Sequence, residues 1–244
     1  MKKFTQNHIV PCYDTDAAGR MKPASFMNLA QEAAGLHAVH LGFGYDSLIV
    51  RNLAWILSRV HVEFPDVPMW RDNLTLTTWH KGLNRLFFLR DFIITDKEGR
   101  EKVKATTSWL ILDLATRRLV RDPKLAEDGT VCTENIIETP ADKVQMPKDV
   151  EAVHVMDHQV AYSDVDMNGH ANNAMYMQWA MDAVDYDVAS VRPVKEFTIN
   201  FNHETKPGDT VSLYKARVED GENLKVYVEG KVDGQSAFCV EIMF

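Results

Sequence analysis

The feature that most constrains the fold is an internal repeat. Residues 14–34, "DTDAAGRMKPASFMNLAQEAA", align without a gap on residues 164–184, "DVDMNGHANNAMYMQWAMDAV", at a constant offset of 150 positions (164 against 14). Asp14, Asp16 and Gly19 fall on Asp164, Asp166 and Gly169. Ala24, Met27, Ala30 and Ala33 fall on Ala174, Met177, Ala180 and Ala183, and Phe26 and Glu32 meet the conservative partners Tyr176 and Asp182. Further on, "VEFPDVPMWRDNLTL" from Val62 aligns with "INFNHETKPGDTVSL" from Ile199, so that Phe64, Asp72 and Leu76 meet Phe201, Asp209 and Leu213. Units this long are not solenoid repeats, and a tandem duplication of a whole domain describes them better.

Each copy opens on a short strand, "NHIVPCY" or "HVMDHQVAY", then an acidic loop, then a helix. The second helix, expected from about Asn173 to Asp187, is apolar except for the stripe Gln178, Asp182 and Asp185; Asn28 and Glu32 occupy the matching positions of the first. A helix so apolar must be enclosed. Segments rich in Val, Ile, Thr and aromatics supply the enclosure: "NLTLTTW", "RLFFLRDFIIT" and "TTSWLILDL" in the first copy, "EFTINF", "TVSLYKARV", "LKVYVEGKV" and "SAFCVEIMF" in the second. Asp220-Gly221 and Asp233-Gly234 mark hairpin turns. The expected fold class is α+β, two tandem domains each with an antiparallel sheet curled around a long helix. The boundaries fall at 1–121 and 151–244, with 122–150, rich in proline and poor in periodicity, as a linker.

A chain of 244 residues has room for two such domains, and 45% hydrophobic with 25% charged residues excludes disordered and fibrous classes. The net charge of -8 gives no global attraction to nucleic acid or anionic membranes. Cys12, Cys132 and Cys239 form an odd, dispersed set without CxxC spacing, so neither a disulfide framework nor a zinc site is expected. The opening "MKKFTQNHIVPCYDTD" has no apolar core of a signal peptide, and no apolar run is long enough to span a bilayer. A cytoplasmic location is expected, with no membrane and no nucleic-acid partner. Basic residues gather locally at Arg117, Arg118, Arg121 and Lys124, a solvated hairpin end or a patch for an acidic partner.

The loop "YSDVDMNGH" admits three readings. Asp164, Asp166, Asn168 and Gly169 satisfy half of an EF-hand loop, but its glutamate position is Met175 and a strand precedes it. Asp and Asn also build turns and helix caps; Asn172 or Asn173 suits the cap, and Asp164 and Gly169, shared by both copies, suit the turn. The third reading rests on what differs between copies. Ala18 becomes Asn168, Arg20 becomes His170, and Val67 becomes Glu204. Three chemically capable groups in one copy alone are what a duplicated enzyme with one surviving site would carry. Histidine and a carboxylate can activate water, an amide and the amides of a helix N-terminus can bind an oxyanion, and a thiolate, of pKa near ~8.5, leaves a thioester with little acid assistance. This set needs no metal and no cofactor.

"YSDVDMNGHANNAMYMQW" resembles the DxDxNxHxNNxxY signature of the acyl–acyl carrier protein thioesterases, and the resemblance extends over nearly the whole chain. It implies two tandem hotdog domains and catalytic residues in the second: Asp166, Asn168, His170 and Glu204. It further implies an acidic carrier protein as partner, which makes the Arg117–Lys124 cluster a candidate docking patch. Where many plant members carry a cysteine after the glutamate, this chain has Thr205, so water activated by Glu204 and His170 is expected rather than a cysteine nucleophile. Asp166 either orients Asn168 or attacks the thioester. The absence of a transit peptide from the opening residues suits a bacterial member. An acyl-coenzyme A thioesterase would use the same chemistry; a hotdog enoyl hydratase would leave Glu204 without a role, and a non-enzymatic acyl binder would need none of these groups. Phe26, Met27 and Trp55 are candidates to limit the acyl pocket, and either a monomer or a homodimer is compatible.

Overall fold

A computed structural model describes residues 2–121 and 130–244. The first half contains β1 (Lys3–Ile9), α1 (Pro23–His40), α2 (Tyr45–Ile49), β2 (Leu53–Glu63), β3 (Asn73–Asn84), β4 (Phe87–Asp96), β5 (Glu101–Asp113) and the short β6 (Leu119–Val120). The second contains β7 (Val153–Gln159), α3 (Asn173–Ala183), α4 (Tyr186–Val191), β8 (Glu196–Phe201), β9 (Thr210–Asp220), β10 (Asn223–Val232) and β11 (Gln235–Met243). One 11-stranded sheet joins them in the order β1-β3-β4-β5-β2-β8-β11-β10-β9-β7, with β6 paired to β5. All neighbours are antiparallel, as short hairpin connections allow.

The strand order reads the same outward from the middle. There β2 pairs with β8, from Arg59 opposite Asn200 to Glu63 opposite Glu196. β2, which the sequence patterning did not single out, is thus one side of the seam. Val60, Val62, Phe197 and Ile199 are buried along it. Both long helices lie against the sheet and against each other. Both bury small side chains: Ala30, Ala33 and Ala34 of α1 and Ala174, Ala180 and Ala183 of α3. Aromatic rings fill what remains, with Phe26 edge-on to Phe64 and Phe92 in one half, and Tyr176 edge-on to Phe201 and Phe238 in the other. These belong to one apolar cluster running through both halves.

A second cluster, Ala38, Phe43, Leu48, Leu53, Phe88 and Ile111, lies beside α2. Phe88, Arg90 and Phe92 alternate along β4, so Arg90 stands between the two clusters. Its guanidinium is buried, Nη1 is 2.8 Å from His37 Nδ1, and it donates to Thr78 Oγ1 at 3.2 Å. Burial pushes its pKa down to about 10.

One expectation from sequence needs correction. The second helix stops at Ala183 and resumes as α4 at Tyr186, instead of running to Asp187. Asp185 stands at the break, and its carboxylate is held by Lys215 and Arg217 on β9, which draws the chain toward the sheet. The described part of the linker, residues 130–150, is an ordered strap. Trp79 Nε1 donates to Glu134 O at 2.8 Å, Lys81 Nζ to Ile137 O at 2.7 Å, and the Ile136 N–H to Asp91 Oδ2 at 2.8 Å. Asn200, at the seam, accepts from Val144 N at 2.7 Å and donates to Asp142 O at 3.0 Å. Ile137, Ala141 and Val144 of the strap are buried.

Candidate active site

The two acidic loops share one backbone. Each begins with a 3-10 turn, at Cys12–Asp14 and Tyr162–Asp164. Gly19 and Gly169 adopt φ of 78° and 76°, a region open to glycine, and each amide donates to the carbonyl of Asp16 or Asp166 at 3.0 Å. The Asp14 and Asp164 carbonyls accept from Lys22 N and Asn172 N at 2.9 and 2.8 Å. Asp164 is 2% exposed; its Oδ2 accepts from the Ala161 N–H at 2.7 Å and lies 2.9 Å from His158 Nε2. Burial alone would raise its pKa, but these bonds prevail and hold the carboxyl below the ordinary range. Asp164 and Gly169 are therefore frame, as their presence in both copies suggests.

The groups mounted on that frame differ. In the first loop Asp16 is saturated: it accepts from Ala18 N and Arg20 N at 2.9 Å and from Arg20 Nε at 2.8 Å. Arg20 reaches across to the second half, donating to the carbonyls of Ala189, Ser190 and Val191 at 2.9, 2.9 and 3.3 Å. In the second loop, among the described residues, Asp166 accepts only the Asn168 N–H, at 2.8 Å. Among the described residues the Asn168 amide group, the His170 N–H and Asp166 Oδ2 have no partner. His170 Nε2 faces Glu204 Oε2 at 3.7 Å, an ion-pair approach longer than a hydrogen bond. Both side chains are about one-third open to solvent, at 33% and 37%.

The site thus brings His170 and Glu204 together, with Asp166 and Asn168 on the same turn. α3 begins directly after it. Asn172 caps the helix by accepting from Ala174 N at 2.9 Å, and Ala171 N donates to Thr205 O at 2.9 Å. The donors expected from the helix start are thereby narrowed: of these first amides, the Asn173 N–H has no partner among the described residues. Thr205, beside Glu204, is fully buried, its N–H and hydroxyl 3.0 and 3.1 Å from the Tyr176 hydroxyl. This anchor fixes the Glu204 backbone to α3. Cys12 lies in the first-half turn, Cys132 on the strap and Cys239 on β11, where burial pushes its thiol up to about 12. Among the described residues no three His, Cys, Asp or Glu side chains are grouped to hold a metal ion.

Two participants were not singled out for the site from sequence. Arg117, in the turn between β5 and β6 of the first half, places Nη2 3.1 Å from Glu204 Oε1. Lys206 Nζ is 3.7 Å from the same oxygen. Glu204 therefore offers one oxygen to cations and the other to His170. Arg118 and Arg121 of the basic cluster are exposed, and Lys124 lies outside the described residues. Of the pocket candidates, Phe26 and Met27 are buried in the main cluster, while Trp55 meets Phe88 edge-on at 5.1 Å beside α2.

The model of the acyl-ACP thioesterase N-terminal domain matches residues 1–126, and that of the acyl-ACP thioesterase C-terminal domain matches residues 147–244. The chain is 26% identical over 239 residues to the chloroplastic oleoyl-acyl carrier protein thioesterase of Coriandrum sativum, covering 89% of this chain and 63% of that protein. It is 26% identical over 213 residues to the chloroplastic palmitoyl-acyl carrier protein thioesterase of Arabidopsis thaliana, covering 82% of this chain and 52% of that one. It spans, then, between about half and two-thirds of the length of these relatives. The crystal structure of an acyl-ACP thioesterase from Bacteroides thetaiotaomicron superposes with a TM-score of 0.80 at 26% identity, over 99% of this chain and 97% of that one. The 12:0-ACP thioesterase of Umbellularia californica shares the fold, with a TM-score of 0.83 at 20% identity over 99% and 93% of the two chains. By the two domain models that match it in succession, the chain belongs to the acyl-ACP thioesterase family.

Proposed function

We propose that the protein hydrolyses the thioester of fatty acyl–acyl carrier protein, releasing free fatty acid, with Glu204 and His170 activating water. The observation that carries this reading is the asymmetry of the two loops. On one backbone, the first half closes every acceptor of Asp16 with Arg20, and the second leaves an amide, an imidazole and a carboxylate open to solvent. In this mechanism His170 and Glu204 remove a proton from water as it attacks the carbonyl carbon. The Asn168 amide and the Asn173 N–H stabilise the oxyanion, and the thiolate departs on collapse of the tetrahedral intermediate. Asp166, already bonded to the Asn168 backbone, orients that residue.

In this reading the halves are two tandem hotdog domains, residues 1–121 and 151–244, joined by 122–150. Their common element order, the mirrored strand order and the separate N- and C-terminal family matches support the division. The acyl chain lies in the first domain and the chemistry in the second. Arg118 and Arg121 serve as the described part of a docking patch for the acidic carrier. No described helix is long and apolar enough to cross a membrane, and a cytoplasmic location suits this reading.

The test is fatty-acid release from a panel of acyl–acyl carrier protein and acyl-coenzyme A substrates. His170→Ala and Glu204→Gln should each lower kcat by about 10²–10⁴-fold. Equal rates in wild type and both variants would defeat the assignment, and turnover of coenzyme A esters alone would replace the carrier.

A further inference from the structure

A half-open cavity of about 160 Å³ lies at the first-half corner that corresponds to the candidate active site, and none of Asp166, Asn168, His170 or Glu204 lines it. Its walls include Arg20 and Val67, the counterparts of His170 and Glu204. On the proposed relation between the halves, this is the second site of the duplication, keeping only Asp16, which is bonded to Arg20, and still hollow. A cavity of this size holds a small ring or a short alkyl segment.

The lining is chiefly apolar. Met21, Ala24 and Phe64 are buried there, and Val67 and Met181 complete the wall from opposite halves. Such a surface favours an alkyl chain over an amide-rich arm. The mouth is cationic: Arg20, Lys22 and Arg192 surround it with one carboxylate, Asp16, already bonded to Arg20. Lys22 Nζ has only the Tyr13 carbonyl, at 3.2 Å, and the Arg192 guanidinium has no partner among the described residues. An apolar pocket beneath two cations lacking a counter-ion matches an alkyl carboxylate.

We infer that this corner binds a fatty acid without turning it over, its chain against Val67 and Met181 and its carboxylate at Lys22 and Arg192. The identity of the ligand as reaction product rests on the proposed function, whereas the binding itself does not require turnover.

The experiment titrates octanoate into the full chain carrying methyl-13C methionine, in wild type and in His170→Ala. Saturable shifts at Met21 and Met181 are expected in both proteins, while Met167, on the exposed part of the candidate catalytic loop, reports separately on the other corner. The double variant Lys22→Glu/Arg192→Glu should weaken the Met21 and Met181 response about tenfold, and Val67→Trp should abolish it by filling the cavity. Shifts confined to Met167, or unchanged affinity in the charge-reversed protein, would overturn the inference; because that variant leaves the apolar walls of the cavity in place, it remains decisive if Val67→Trp does not fold. A chain that binds octanoate here but releases no fatty acid from thioesters would sink the reaction and keep the site, and the converse result would do the opposite.

Discussion

Arg117 holds its backbone in the left-handed region, at φ 57°, to bring its guanidinium from one half of the molecule to a carboxylate of the other. The contact is 58% exposed on the arginine side, so its Coulombic contribution is screened and its main effect is orientation of Glu204. Arg117→Gly is the clean test, because glycine keeps the turn without strain. It should lower kcat by a few-fold and leave KM for the carrier substrate nearly unchanged. Arg118→Glu should do the reverse, raising KM at low salt, where steering is strongest. A rise in KM alone for Arg117→Gly would return that residue to the docking patch. Asp164 makes a second test. Its folded pKa is depressed, so its contribution to stability is present above the unfolded value of about 3.9 and is lost as pH falls through the folded value. Asp164→Asn should cost about 1–3 kcal/mol at neutral pH, with the gap in Tm to wild type closing on acidification; a gap constant with pH would show that the charge is irrelevant. Asp166, matched by Asp16, was a candidate only through the resemblance, but Asn168, His170 and Glu204 were legible as candidates because the duplication offers an internal reference from which they differ. Arg117 was not, since its partner lies 87 residues away and nothing local marks the contact.

At the level of elements, period and turn chemistry located most of what the chain builds. Asp233 and Gly234 both take positive φ, 49° and 79°, as an Asp-Gly hairpin turn requires. β2 escaped notice because "LAWILSRVHVE" carries two charged residues and lacks a clean alternation, and its pairing at the seam is non-local. The break between α3 and α4 escaped for a similar reason: Lys215 and Arg217, which hold Asp185, lie on a distant strand. The strap is aperiodic because single side chains of the sheet, Trp79, Lys81, Asp91 and Asn200, hold its backbone, so no repeating pattern is needed. Asn200→Ala removes both partners at the seam and leaves the Val144 N–H buried. It should destabilise the protein by about 1–3 kcal/mol, read as a lower denaturant midpoint, and an unchanged midpoint would mean that the strap is merely laid on the sheet. Gly230 on β10 is a stricter case. A Cβ there would come within 2.1 Å of Phe238 Cε1, and that ring is wedged against Tyr176 and Trp179. Gly230→Ala should therefore cost about 1–3 kcal/mol through overpacking, beyond any gain from its lower backbone entropy.

For the whole molecule, the decisive contact is the β2–β8 seam. A sheet strand left unpaired is an invitation to pair, and α3 needs the apolar surface of α1 to stay dry. The candidate site shares this dependence, since Glu204 comes from one half and Arg117 from the other. Residues 151–244 expressed alone should therefore not persist as a folded monomer. The mirrored strand order gives them a substitute: β8 can pair with β8 of a second copy and α3 with α3, an isologous arrangement that closes on itself. Light scattering after size exclusion should find a dimer or aggregate. If the dimer forms, it carries two His170–Glu204 pairs and no Arg117, so activity per site should resemble that of Arg117→Gly in the full chain, provided the acyl chain finds room between two second halves. A stable monomer with a cooperative melt would show instead that each half completes its own core and that the seam only joins them.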